Sequence, residues 1–146
     1  MTTVSDILAR KSGKTHCVSP RATVLEATHV MNDARIGSVL VVEGEWRRVV
    51  GILTERDLLT RVLAEERDPR TTRVSEVMTQ DVRFCTPATP VEELRAVMRE
   101  QRIRHIPVRD DDGKLCGLIS IGDLNAFESD VAACTLASLT EYITRG

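Results

Sequence analysis

Two short segments each place an acid three residues after a hydroxyl, directly behind an apolar run. In GILTERDL (51–58) the pair is Thr54 and Asp57, and in GLISIGDL (117–124) it is Ser120 and Asp123. A carboxylate at such a position can accept both hydroxyls of a ribose, as acidic residues do in nucleotide-binding folds. The same spacing approximates a capping box, in which hydroxyl and acid satisfy the first N–H groups of a helix. The pattern leaves both interpretations open.

A basic pair precedes the second of these segments. In RIRHIPV (102–108), Arg104 and His105 stand just before a predicted strand. Arginine offers a rigid fork of donors to a phosphate, and histidine adds a donor that strengthens on protonation. The alternative is a solvated arginine beside a hydrogen-bonded histidine. The matching positions in the first half, Gly37 and Ser38, offer space and a hydroxyl but no charge. The two sites are therefore predicted to differ in chemistry.

The two junction segments belong to two copies of one repeat. Pro20 and Pro87 match at an offset of 67 residues, and the offset is 66 at the junctions. The segments that lead into the copies also match, since VSDIL (4–8) resembles VSEVM (74–78) at an offset of 70. One copy of about 60 residues is small for an independent core, so we expect the two to pack face to face.

Each copy is predicted as a β-α-β-β-α unit. In the first, a capping box of Thr23 and Glu26 opens an amphipathic helix, and a later helix follows Thr54. The second copy repeats this plan, with a helix over about residues 90–101. The other predicted features are the strands 38–42 and 48–53, the turns 44–47 and 110–113, and the short lead-in strands 16–18 and 82–86. The helix after Thr54 carries Leu58, Leu59, Val62 and Leu63.

The predicted fold class is therefore α/β (α+β), with two tandem units related by a pseudo-twofold axis and a C-terminal helix. Leu136, Leu139 and Ile143 recur at helical spacing and indicate that last helix. The predicted boundaries are 1–66 for the first unit with its lead-in, 67–73 for a linker, 74–127 for the second unit with its lead-in, and 128–146 for the helical extension.

The composition argues against nucleic-acid binding and against a membrane-spanning protein. The formal charge of −2, with one Trp, one Tyr and two Phe, argues against a basic surface with stacking aromatics for nucleic acid. No apolar run approaches the roughly 20 residues of a membrane helix, and the N-terminal segment does not resemble a signal peptide. These features predict a cytoplasmic protein. The four cysteines are expected to be free thiols rather than zinc ligands, because no histidine stands at a ligand spacing from them.

The order and duplication of these segments resemble a tandem pair of CBS (cystathionine-β-synthase) domains, or Bateman module, of the small stand-alone bacterial type. VSEVMTQDV (74–82), RIRHIPV and the two junctions carry the resemblance, which covers about residues 4–127. It implies two clefts that bind adenosine-containing ligands such as AMP, ATP, NAD(H) or S-adenosylmethionine. It also implies a disc-like homodimer and a role in regulatory sensing rather than catalysis, with no required cofactor.

The resemblance implies how the two clefts are built. Backbone groups near Val18 and Val82 would contact the base, with Asp57 working beside the 82–86 strand and Asp123 beside the 15–18 strand. Arg56 is either a phosphate partner or a surface residue, and Glu55 is interpreted as a partner of the helix dipole. No catalytic or metal-binding residue is predicted. The predicted ligand-binding residues are Val18, Gly37, Ser38, Thr54, Arg56, Asp57, Val82, Arg104, His105, Ser120, Gly122 and Asp123.

Three functions follow from the sequence. The leading hypothesis is a sensor in which an adenosine-containing nucleotide changes the packing of the units and a regulated protein detects the change. The alternative is a scaffold of the same fold that contacts proteins without a nucleotide. An enzyme is disfavoured, because Asp57 and Asp123 have no evident base or nucleophile beside them. Neither a nucleic acid nor a membrane is expected as a partner.

Overall fold

The computed structural model describes residues 2–11, 15–44 and 48–129. The predicted C-terminal extension beyond residue 129 and residues 45–47 of the first predicted turn lie outside these ranges. The elements in chain order are α1 (Val4–Arg10), β1 (Cys17–Val18), α2 (Val24–Ala34), β2 (Ser38–Glu43), β3 (Arg48–Thr54), α3 (Glu55–Asp57) continued by a π-helical segment (Leu58–Leu63), α4 (Val74–Val77), α5 (Val91–Gln101), β4 (His105–Arg109), β5 (Leu115–Ser120) and α6 (121–129).

The two units form separate small sheets. In the first, β1 runs parallel to β2, and β2 pairs antiparallel with β3. In the second, β4 and β5 form an antiparallel hairpin whose turn includes Gly113 at a φ of 82°. A positive φ of this kind suits glycine, because glycine has no Cβ to clash with the backbone. The hairpin predicted over 110–113 is therefore confirmed.

The predicted lead-in strand 82–86 is wrong in extent, because only Cys85 pairs, in a parallel bridge with Val108. A proline explains the difference. In the first unit the N–H of Leu40 donates to the carbonyl of His16 at 3.3 Å. The residue that matches Leu40 is Pro107, which has no N–H to donate. One bond of the parallel ladder is therefore lost, and the lead-in cannot extend as a strand.

The lead-in helices cross between the units. Val4 and Ile7 of α1 are buried in one apolar cluster with residues of the second unit, including Leu94 of α5. In the opposite sense, Val74 and Val77 of α4 are buried in the cluster of the first unit. The order of the chain therefore places each lead-in with the unit that follows it, whereas the packing places it in the core of the other unit.

The helix after β3 departs from the predicted α-helix. Beyond Asp57 it is wound as a π-helix, with the Ala64 N–H bonding to the Leu59 carbonyl five residues earlier, at 2.9 Å. Val62 is buried, but Leu59 and Leu63 are 60% and 65% exposed.

The predicted start of the first long helix is confirmed. Thr23 is the N-cap of α2, its hydroxyl accepts from the Glu26 N–H at 3.1 Å, and the Glu26 carboxylate accepts from the Thr23 N–H at 3.0 Å. The helices α2 and α5 both end in a left-handed residue, Arg35 with φ 56° and Arg102 with φ 55°. The repeat detected in the sequence is thus reproduced in backbone conformation.

Candidate functional site

Both junction segments form the capping box that their spacing allows. Thr54 Oγ1 accepts from the Asp57 N–H at 3.2 Å, and Asp57 Oδ2 accepts from the Thr54 N–H at 3.0 Å. At the second junction the corresponding distances for Ser120 and Asp123 are 3.1 and 2.8 Å. The capping interpretation is confirmed at both places. Any role in ligand binding therefore has to coexist with capping.

Asp57 is buried, with an exposed fraction of 5%. The Thr79 hydroxyl donates to Asp57, with oxygen distances of 3.1 and 3.3 Å to Oδ1 and Oδ2. Arg61 Nε lies 3.8 Å from Oδ1. Both oxygens of Asp57 are therefore in contact with other groups of the chain.

Thr79 is a contact of the site that the sequence reasoning missed. It follows the lead-in of the second unit, and at the offset of 70 residues its match in the first lead-in is Ala9, which has no hydroxyl. The repeat therefore carries no signal for this contact. Only the crossing of the lead-in segments between the units brings Thr79 to Asp57.

Asp123 is more accessible and is paired with a lysine from the other lead-in. Lys11 Nζ lies 2.9 Å from Asp123 Oδ2 and also donates to the carbonyl of Leu118. The side chains of Lys11 and Asp123 are 36% and 25% exposed. Burial by itself raises the pKa of Asp123, but the hydrogen bonds from the Ser120 backbone and from Lys11 outweigh it, and the net pKa is lowered.

His105 connects the two units electrostatically. It begins β4 and is half-buried, and burial together with the adjacent Arg104 lowers its pKa below 6.5, while Asp123 and Glu55 act in the opposite direction. Glu55 belongs to the first unit and Asp123 to the second, so acidic residues of both units act on the pKa of His105. At neutral pH a histidine with a lowered pKa is neutral and offers one donor and one acceptor.

The matching positions in the first unit differ as the sequence predicts. Ser38 is 3% exposed, and at Gly37 an added Cβ would lie 3.5 Å from Glu55 Oε1. The space beside Gly37 therefore faces a carboxylate rather than a guanidinium. Glu55 lies in the first turn of α3, as a partner of the helix dipole should.

The remaining predicted residues are distributed around these junctions. Val18 pairs with Val41 in β1. Val82 is half-buried outside any strand, and its N–H donates to the Gln80 carbonyl at 2.9 Å. The backbone amide that was expected to contact a base is therefore already hydrogen-bonded within the chain. Arg56 is exposed in α3, and Gly122 lies in the first turn of α6.

Two grooves of similar size lie at matching places beside the junctions. The first, of about 420 Å³, includes Gly37 and Glu55. The second, of about 390 Å³, includes Arg104 and Ile121. Within the described ranges, no group of three or more His, Cys, Asp or Glu residues is arranged to hold a metal ion. In the same ranges, none of the helices has the length and apolar character needed to span a bilayer.

The profile of the CBS domain matches residues 3–64 and 74–129, the two repeats of this chain. The chain belongs to the CBS-domain family. A CBS-domain protein from Burkholderia ambifaria MC40-6 shares 42% sequence identity and a TM-score of 0.82, over 90% of this chain and 95% of its own. The predicted CBS pair and the α/β fold class are thereby confirmed. Proteins with CBS domains are generally regulatory rather than catalytic.

Two further relatives of this CBS pair are informative. The CBS-domain pair of protein MJ0100 was solved with 5′-methylthioadenosine and S-adenosyl-L-methionine; it shares 25% identity and a TM-score of 0.76, over 88% of this chain and 97% of its own. The mitochondrial CBS domain-containing protein CBSX3 of Arabidopsis thaliana is 35% identical over 130 residues, which are 84% of this chain and 63% of that protein. The chain spans 58% to 65% of the length of three curated relatives.

Proposed function

We propose that this CBS pair is a regulatory sensor that binds an adenosine-containing nucleotide at the junction of β5 and α6. The observation that carries the proposal is the ion pair of Lys11 with Asp123 at that junction, where His105 also pairs with Ser120 across the hairpin. A carboxylate beside several donors of positive or neutral charge suits a ribose joined to a phosphate. The MJ0100 pair, with its two adenosine derivatives, supports the class of ligand.

The second junction is the stronger of the two sites. Within the described residues, both hydrogen bonds to Asp123 end on Oδ2, so Oδ1 is available to a ribose hydroxyl. At Asp57 both oxygens already contact other groups of the chain, and a ligand would first have to displace Thr79. We therefore propose that ligand binds first at Asp123, and that the candidates are AMP, ATP, NAD(H) and S-adenosylmethionine.

Calorimetry with those compounds tests the proposal. We expect the wild type to bind at least one of them, and Asp123→Asn to weaken that binding about tenfold through the loss of charge-assisted hydrogen bonds. Asp112→Asn is the matched control, because Asp112 is exposed in the hairpin turn and the same charge is lost there. Binding of none of the compounds, or equal effects of the two substitutions, would contradict the proposal.

We further propose that two copies associate through the π-helical segment. Leu59 and Leu63 stand four residues apart, close to one turn of a π-helix, and are 60% and 65% exposed. The resemblance to CBS pairs, which associate as discs, supports a second copy as the partner. Leu59→Glu with Leu63→Glu should convert the dimer to a monomer in sedimentation equilibrium, whereas Thr71→Glu on the exposed linker should not. A wild-type monomer would refute the dimer.

A scaffold without a nucleotide is the second candidate, and the occupied state of Asp57 favours it. In that case Asp123→Asn would leave the binding of a regulated protein unchanged, and no adenosine compound would bind. For the ligand state to reach a regulated protein, the nucleotide site and the surface that binds this protein have to be coupled.

A further inference from the structure

Lys11 closes the junction of β5 and α6 from the opposite lead-in. It is the residue at which α1 ends, and its Nζ donates both to the carbonyl of Leu118 and to Asp123 Oδ2, the latter at 2.9 Å. One ammonium group therefore joins β5 to the acid of the capping box. Because Lys11 is exposed, its side chain can leave both acceptors for water at little cost.

The first junction has the same two acceptors but a different donor. At the offset of 66 residues, Leu118 matches Ile52 and Asp123 matches Asp57. Thr79 serves both acceptors there, because its N–H donates to the Ile52 carbonyl at 2.9 Å and its hydroxyl donates to Asp57. The Ile52 N–H also donates to the Thr79 carbonyl at 3.0 Å, so a backbone bridge fixes this donor. The second junction is held instead by a long, exposed side chain that can move.

The two oxygens of Asp123 are unequally occupied. Oδ2 accepts from the Ser120 N–H at 2.8 Å and from Lys11 at 2.9 Å. A carboxylate oxygen has about two lone-pair sites, so these donors fill Oδ2, and within the described residues Oδ1 is left for a further donor. The capping box holds the Ser120 N–H in place, whereas the Lys11 ammonium stands at the end of a flexible stem. A second external donor at Asp123 therefore has to displace Lys11.

We propose that Lys11 is a specificity-determining residue that lowers the preference of this junction for a ribose over a deoxyribose. The inference rests on the proposed function, because it needs a nucleotide whose sugar lies at Asp123. A ribose that presents both hydroxyls uses both carboxylate oxygens, so it binds in this way only when Lys11 has left Oδ2. A 2′-deoxyribose presents one hydroxyl and places it on Oδ1 with Lys11 still bound. Because apparent affinity falls with the fraction of protein that is competent to bind, Lys11 weakens the ribonucleotide and spares the deoxynucleotide.

Calorimetric titration with AMP and 2′-deoxy-AMP tests the competition. We expect the wild type to prefer AMP by less than about threefold, and Lys11→Met to raise this preference to about tenfold, since the second hydroxyl then donates to the charged Oδ2. The lost positive charge acts alike on the two nucleotides, which carry the same phosphate, and cancels in the ratio of their affinities. Lys114→Met is the matched control, because Lys114 is exposed beside the hairpin turn, and it should leave the ratio unchanged.

Salt provides a second measurement, on the wild type. Raising sodium chloride from about 0.1 M to about 1 M shortens the Debye length from about 10 to about 3 Å and weakens an exposed ion pair. The preference of the wild type for AMP over 2′-deoxy-AMP should therefore rise with salt, whereas that of Lys11→Met should stay constant. If Lys11→Met does not fold, as checked by circular dichroism with urea unfolding, the salt series on the wild type decides the inference.

The outcomes separate the two claims. If AMP binds but Lys11→Met leaves the ratio of affinities unchanged, or the wild-type ratio does not rise with salt, the inference is wrong and the proposed function stands. An equal loss of both nucleotides in Lys11→Met would make Lys11 a partner of the phosphate and would also overturn the inference. If neither nucleotide binds the wild type or Lys11→Met, the proposed function is wrong and the inference falls with it.

Discussion

Replacing Asp57 by alanine should destabilise the protein more than replacing Asp123, although the two acids occupy matching positions. Each acid closes a capping box, whose loss costs about 1 kcal/mol of the free energy of unfolding. Asp57 is only 5% exposed, and it also accepts a hydrogen bond from the Thr79 hydroxyl. Its removal leaves that hydroxyl without a partner, which costs about 1–3 kcal/mol more. Asp123 loses only a partly exposed ion pair with Lys11, worth about 0–1 kcal/mol.

The expected losses are therefore about 3 kcal/mol for Asp57→Ala and about 1.5 kcal/mol for Asp123→Ala. Urea unfolding at neutral pH, followed by circular dichroism, measures both, with Asp112→Ala as a control near zero. A double-mutant cycle of Asp57→Ala with Thr79→Val should show a coupling of about 1 kcal/mol, because both variants remove the same contact. Equal destabilisation by the two alanines, or strict additivity in the cycle, would refute the reasoning.

Three further predictions concern other parts of the chain. Burial and the adjacent arginine lower the pKa of His105 below 6.5, so between its folded-state and unfolded-state pKa values the folded protein binds fewer protons than the unfolded chain. The free energy of unfolding therefore falls as the pH drops through this interval. His105→Gln should reduce that fall in urea titrations between pH 7 and about pH 5. Gly51→Ala should lower the free energy of unfolding by about 1–3 kcal/mol in the same assay. An added Cβ at Gly51 would lie 2.6 Å from the sulfur of Met78 and 3.0 Å from the carbonyl oxygen of Thr79. At Gly117 the nearest atom is a methyl carbon of Leu8 at 2.9 Å, so Gly117→Ala should cost less. Burial raises the pKa of the Cys85 thiol to about 11, whereas Cys116 is exposed. Iodoacetamide labelling with peptide mapping should therefore modify Cys116 before Cys85, and faster labelling of Cys85 would contradict the packing.

Features encoded locally were predictable from the sequence. The capping box of Thr23 and Glu26 and the two junction boxes depend on residues three apart, and the structure has all of them. The duplication, together with the order of the segments, also indicated the family. Patterns of this kind are predictive because the groups that interact are close in the chain.

Features that depend on distant pairing were not predictable. The missing strand over 82–86 follows from Pro107, whose absent N–H matters only once the parallel partner is known. The burial of Asp57 depends on Thr79, and the ion pair of Asp123 depends on Lys11, and both partners come from lead-ins that cross between the units.

The crossing of the lead-in helices has a consequence for synthesis on the ribosome. The core of the first unit contains Met78, so it can close once the chain has been made to that point. Val4 and Ile7 of α1 are made first, but their core also needs Leu124. At about 5–20 residues per second, the intervening residues take roughly 2–9 s, during which the apolar face of α1 has no core to enter. The first helix to leave the ribosome is therefore among the last to reach its final place, and α1 should stay open to protease cleavage in a nascent chain halted before Leu124 is made.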